Sequence, residues 1–192
     1  MCADINNIMD FSSFSHGQVQ SKQWLCETLE PYIPKQSKVA ILGSWYNVLG
    51  LMMLTRQHKQ YQEILGIDKD AEAIRTAEKI CNAWTFGDTK KIRNVKADAN
   101  YFNFLKYNVI INCSPEHMEK QLWFDNINSG SLVCLQTSNL DYTDEVWKIT
   151  NPTYTLEEFK NKYPLSHIIA SDTLDIEYSD WGYKRFMLIG TK

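Results

Sequence analysis

Short apolar runs alternate along this chain with stretches in which apolar residues recur every three or four positions. Residues 39–42 (VAIL) form the first run, which stops at Gly43. Residues 64–67 (ILGI) form the second, which stops at Asp68. Roughly one helix length of chain separates them. Continuous apolar runs of this size read as strands buried on both faces. A glycine at the end of the first strand lets backbone approach a ligand. An acid at the end of the second is placed to accept hydrogen bonds from a ribose diol. Together these features make a nucleotide-binding α/β unit.

The alternation continues on both sides of that unit. Residues 18–31 fit a helix with Val19, Trp24, Leu25 and Leu29 near one face, ended by Pro31 and Pro34. A helix capped by Ser44 or Asn47 runs through Leu49 to Arg56. Strand two spans 63–67. Asp70 then starts a helix whose Ala73, Ile74, Ala77, Ile80, Cys81 and Trp84 make one stripe, broken at Gly87. A strand over 92–96 ends in Ala97-Asp98, and a fourth over 107–112 ends in a polar cluster. Pro115 suits the first turn of a helix over 116–124. Asn128, Ser129 and Gly130 make a turn before a fifth strand, 131–137. An amphipathic helix, 155–164, stops at Pro164. Two late strands, HIIASDTLDIEY and YKRFMLIGTK, are joined by a Ser-Asp-Trp-Gly turn and pair antiparallel. Alternating strands and helices predict a parallel sheet covered on both faces. Residues 1–17 read as a polar arm, and 18–192 as one domain.

Composition narrows the function. The 192 residues suffice for one domain with a sizeable core. Net charge is −3 with no basic block, so nucleic acid is not the expected partner. No apolar run reaches the roughly 18 residues that span a bilayer. The N-terminus carries two Asp and neither Lys nor Arg before residue 15, unlike a signal peptide. Cys2, Cys26, Cys81, Cys113 and Cys134 are scattered, odd in number and without a C-x-x-C pair. Free thiols in the cytoplasm, and no zinc or other metal site, are expected.

The order of elements and the chemistry at the strand ends resemble the class I S-adenosyl-L-methionine-dependent methyltransferases, over residues 19 to 192. The sequence also looks like short methyltransferase-like proteins encoded by viruses. The resemblance implies a Rossmann-like three-layer α/β sandwich. Its seven-stranded, mostly parallel sheet has the order 3-2-1-4-5-7-6, with an antiparallel last strand. It implies S-adenosyl-L-methionine as cofactor. The methionine side is contacted by Gly43, Ser44 and Trp45, the ribose by Asp68, and the adenine side by Asp98 with Ala99. The strand-four end, Asn112 to His117, is where substrate and methyl group meet, with Asn112 on the cofactor side. Two departures stand out. The first loop reads Ile-Leu-Gly-Ser-Trp-Tyr-Asn, with one glycine where the family has Gly-x-Gly-x-Gly. The strand-four motif reads Asn-Cys-Ser-Pro-Glu-His, unlike the Asp-Pro-Pro-Tyr of base-amino methyltransferases.

At that strand end His117 has the pKa range of a general base, and Glu116 is placed to orient it or to bind a substrate amine. Ser114 and Glu116 equally suit helix capping. Ser114, Gln136 and Lys22 are candidates for the substrate side. Asp98 also fits a simple turn residue. With no large inserted domain, the expected acceptor is a small molecule, and after that a protein side chain. Two other readings stay open: transfer of an aminopropyl or aminocarboxypropyl group on the same fold, and a non-catalytic module that binds a partner.

Overall fold

The computed structural model describes residues 10–57, 60–84, 89–141 and 148–192. The helix break expected at Gly87 lies outside them. Seven strands form one sheet: β1 Ser37–Leu42, β2 Tyr61–Asp68, β3 Ile92–Lys96, β4 Val109–Asn112, β5 Leu132–Ser138, β6 His167–Glu177 and β7 Gly182–Thr191. Their order is β3-β2-β1-β4-β5-β7-β6. The contacts β3/β2, β2/β1, β1/β4 and β4/β5 are parallel, while β7 runs antiparallel to both β5 and β6. This is the sheet order that the family resemblance implies, with the antiparallel final hairpin that the sequence predicts.

The helices are α1 His16–Leu29, α2 Val48–Gln57, α3 Ala71–Ala83, α4 Leu122–Asp125 and α5 Leu156–Lys162. Alternation along the strands sends side chains into two cores. Val39, Ile41, Ile64, Val109, Ile111, Met187 and Ile189 pack with Leu25 and Leu29 of α1 and Met53 and Leu54 of α2. Ala40, Leu42, Leu65, Ile67, Ile110, Phe186 and Leu188 pack with Trp123 and Phe124 of α4 and Phe159 of α5. Both faces are covered, which is why the strands read as unbroken apolar runs. Among the described residues no helix is long and apolar enough to cross a membrane.

Three local expectations change. First, α1 begins at His16, after a 3₁₀ turn over Phe11–Phe14. Its buried face is Ser21, Leu25, Cys26 and Leu29, and Val19 points outward. Second, Trp84 ends α3 in an extended conformation and is largely exposed, so the buried stripe is Ala73, Ile74, Ala77 and Cys81. Third, the continuous helix expected over 116–124 is a 3₁₀ turn, Pro115–His117, followed by the single turn of α4. An α-helix would need the Glu116 carbonyl to accept from the backbone N–H four residues on. Here that carbonyl accepts from the N–H groups of Thr150 and Asn151, at 2.9 and 3.0 Å. The Gln121 carboxamide oxygen then accepts from Trp123 Nε1 at 3.0 Å and from the Tyr163 hydroxyl at 2.7 Å.

Trp123 is fully buried between Phe124 and Tyr163. Trp123→Ala removes its packing and its hydrogen bond to Gln121. It is expected to lower unfolding stability by about 3–5 kcal/mol, measured by urea denaturation followed by circular dichroism.

Candidate functional site

The carboxyl ends of the parallel strands lie side by side. Leu42 is in register with Ile67 on one side and Asn112 on the other, and Ile67 with Val95. The residues that follow, Gly43, Asp68, Ala97-Asp98 and Cys113, therefore stand along one edge of the sheet. Backbone bonds stitch the edge together: Ser44 N–H donates to Ile67 O at 3.0 Å, and Ala97 N–H to Asp68 O at 2.8 Å.

The loop after β1 turns sharply. Gly43, Trp45 and Asn47 all have positive φ, at 58°, 49° and 51°. Glycine takes this conformation freely, but Trp and Asn do so at a cost of about 1–2 kcal/mol each. What holds Trp45 there is its backbone N–H, which donates to Asp68 Oδ2 at 2.8 Å. Asp68 Oδ1 accepts from Asp70 N–H at 3.0 Å, and Asp70 in turn caps α3 by accepting from Glu72 N–H. The two acids thus divide the work: Asp70 is the cap, and Asp68 belongs to the strand ends. A Cβ on Gly43 would fall 2.4 Å from Ser114 Oγ, so only glycine lets the first loop and the strand-four loop meet.

A cleft of about 230 Å³ opens over this edge. Gly43, Asp68, Asp98 and Ala99 line it, together with Ile67, Lys69, Ala97, Asn100, Tyr101, Met118, Glu119 and Lys120. Asp98 Oδ1 accepts from the backbone and side-chain amides of Asn100. Asn100 Oδ1 accepts from Trp123 N–H at 3.2 Å, so the cleft floor is tied to the aromatic core.

Ser44, Trp45 and Asn112 sit elsewhere. Ser44 Oγ is buried without a partner near Asn47 and Asn94, and a Cβ on Gly66 would fall 2.8 Å from it. The Trp45 ring packs on Tyr46 with centroids 4.7 Å apart. Asn112 is wholly buried; its side chain accepts from Ser114 N–H and faces Met118 Sδ.

A second polar cluster lies at the ends of β4, β5 and β7. Glu116 is 3% exposed; Thr137 Oγ1 donates to its Oε2 at 3.2 Å, and Arg185 Nη1 lies 3.6 Å from its Oε1. Arg185 Nη2 donates to Cys113 O at 3.2 Å. Gln136 Nε2 donates to Ser21 O of α1 at 3.0 Å. Lys22, on the next position of α1, donates to both oxygens of Gln18. Burial lowers the Lys22 pKa from 10.5 to about 8, against an opposing pull from Cys113 and with a smaller contribution from the Arg185 charge. Burial pushes the Cys113 thiol up to about 11, despite Arg185 and Lys22, which keeps it protonated and poorly nucleophilic. His117 is exposed, with Nδ1 3.1 Å from Lys148 O. The structure therefore joins Glu116 to Arg185, ties Gln136 to α1 at Ser21 next to Lys22, and turns His117 outward.

The sequence reading misses Arg185 and Asn100. Arg185 opens the apolar run of β7 at a position that alternation points inward, which is a usable signal. Asn100 carries none beyond its place after Asp98. Tyr142 and Trp147, in and after the loop that follows β5, lie outside the described residues.

No family model matches the chain, and no curated protein matches it. Solved structures do. YcgJ from Bacillus subtilis is 12% identical, with a TM-score of 0.69 over 91% of this chain and 98% of that one. The N-methyltransferase NodS from Bradyrhizobium japonicum, solved with S-adenosyl-L-homocysteine, is 12% identical, with a TM-score of 0.65 over 92% and 88%. The methyltransferase domain of bacterial CtHen1-CN is 19% identical, with a TM-score of 0.62 over 90% and 98%. The chain has the class I methyltransferase fold. In that fold the Gly43–Asp68–Asp98 edge and the Lys22–Glu116–Arg185 cluster occupy neighbouring stretches of the same open rim.

The lowered Lys22 pKa has a sign that can be checked. The unfolded chain keeps the ammonium to about pH 10.5, whereas the folded chain releases its proton from about pH 8. The unfolded state therefore binds more protons across that window, and folding stability contributed by this group rises with pH. Relative to Lys22→Met, the wild-type chain is expected to gain stability between pH 8 and 10, read from urea midpoints.

Proposed function

We propose that the chain is an S-adenosyl-L-methionine-dependent methyltransferase acting on a small-molecule acceptor, with a protein side chain as the next choice. The observation that carries this reading is the cleft in which Gly43, Asp68 and Asp98 with Ala99 stand at three adjacent strand ends. The fold supports it, as does the S-adenosyl-L-homocysteine bound in NodS.

The residues fit such a cofactor. Gly43 offers bare backbone on the cleft wall. Each Asp68 oxygen is engaged by one backbone N–H, which leaves lone pairs for the two hydroxyls of a ribose. Asp98 and Ala99 line the cleft where an adenine would follow. When bound, S-adenosyl-L-methionine supplies a methyl group on a sulfonium, already a strong electrophile. The chain then has to align the acceptor and handle one proton, so a sparse set of side chains suffices. Glu116 is engaged at both oxygens and acts by holding Arg185 in place. His117 keeps Nε2 available and is the candidate base. Ser114, Gln136 and Lys22 flank the acceptor side. The net charge of −3 argues against a nucleic-acid acceptor. The free thiols of Cys26, Cys81, Cys113 and Cys134 support a cytoplasmic setting. The mass of the product separates methyl from aminopropyl or aminocarboxypropyl transfer.

Asp68→Asn keeps an acceptor for Trp45 N–H but removes the charge. Calorimetric titration with S-adenosyl-L-homocysteine is expected to give micromolar binding for the wild type. For the variant it is expected to be at least about tenfold weaker, as for loss of a hydrogen bond to a charged group. Unchanged affinity removes the ribose role of Asp68. Absence of binding to the folded wild type favours a partner-binding module.

A further inference from the structure

The cluster beyond Cys113 contains more positive charge than its own residues neutralise. Arg185 is 5% exposed and Lys22 is half-buried, yet Glu116 is the sole carboxylate among the described residues within salt-bridge reach of either. That contact is a single one at 3.6 Å, and the other Glu116 oxygen is bound to Thr137. Arg185 Nε is buried with no partner, although a guanidinium has five N–H donors to satisfy. Lys22 reaches only the neutral oxygens of Gln18. Gln136, wholly buried and bonded to the Ser21 carbonyl next to Lys22 in the chain, has an unpartnered Oε1. Buried cations are ordinarily paired, because an isolated charge loses its hydration without compensation. An orphan guanidinium donor and an ammonium facing only amide oxygens are what a bound anion would complete. The cluster also adjoins the cleft: Arg185 holds Cys113 O, and the next residue, Ser114, touches Gly43.

We propose that Lys22 and Arg185 form an anion subsite that receives a carboxylate carried by the methyl acceptor. The acceptor is then a small carboxylic acid. Lys22 is reachable beside α1, whereas Arg185 lies deeper, so the carboxylate meets the ammonium first. This inference rests on the methyltransferase reading for the word acceptor, but the subsite stands on the charges alone.

The test is calorimetric titration of the full chain with acetate, glycolate, glycine and benzoate, and with the matching neutral amides, in the presence and absence of S-adenosyl-L-homocysteine. At least one carboxylate is expected to bind while its amide gives no heat. Lys22→Met is expected to weaken that binding by about tenfold or more, as for loss of one charge-assisted contact. It should leave S-adenosyl-L-homocysteine affinity essentially unchanged. Lys22→Arg, which keeps the charge, is expected to retain carboxylate binding and keeps the test informative if Lys22→Met fails to fold. Equal binding of amides, or no carboxylate binding at all, overturns the subsite. A matched loss of S-adenosyl-L-homocysteine affinity in Lys22→Met also overturns it, because the anion would then be the cofactor's own carboxylate. Carboxylate binding without S-adenosyl-L-homocysteine binding supports the subsite and removes the methyltransferase reading.

Discussion

Burial of the central sheet on both faces is the constraint that organises this molecule. Val39, Ile41, Ile64 and Ile111 face one layer of helices, and Ala40, Leu42, Leu65 and Ile110 face the other. Such a sheet has no polar face on which to build a site. Chemistry is confined to the edge where parallel strands end and chain reversals begin. The polar residues discussed above all lie on that edge or on the segments that pack against it.

Within the edge, the Asp68 carboxylate does the local organising. It accepts from the first loop through Trp45 N–H and from the start of α3 through Asp70 N–H. The first contact stabilises a backbone that is otherwise unfavourable, since Trp45 and Asn47 both adopt left-handed conformations. The loop needs that shape because Gly43 must approach Ser114 closely. One glycine is enough here. The aromatic pair Trp45 and Tyr46 packs aside, and Tyr46 is anchored by its hydroxyl, which accepts from Asp10 N–H at 3.2 Å.

The edge divides electrostatically. On the β1–β3 side, Asp68 and Asp98 present acceptor oxygens, suited to hydroxyl and amino groups, in a cleft that Lys69, Glu119 and Lys120 also line. On the β4–β7 side, Lys22 and Arg185 outnumber Glu116. The Glu116 backbone also ends the helix expected after β4. Once the segment commits its carbonyl to Thr150 and Asn151, the chain cannot continue as an α-helix.

Periodicity located most of the strands and helices, and the family resemblance supplied the sheet order. The apolar runs at 39–42, 64–67 and 131–137 and the stripe from Ala73 to Cys81 depend on local alternation and on burial, which any single stretch of sequence reveals. The positions of Asp68 and Asp98 at strand ends were legible because each closes or follows a strand-like run, and both line the cleft. The sequence by itself thus determined which segments are strands and which strand ends carry polar groups. It left open which of those groups meet. Asn112 turned inward to Met118, His117 turned out to solvent, and Arg185, which lies in a strand read only for its apolar run, moved to the centre of the second cluster. Contacts such as Arg185 to Cys113 and Gln136 to Ser21 join residues 72 and 115 positions apart. Local pattern holds no record of such distances; only closure of the sheet and the docking of α1 against it decided them.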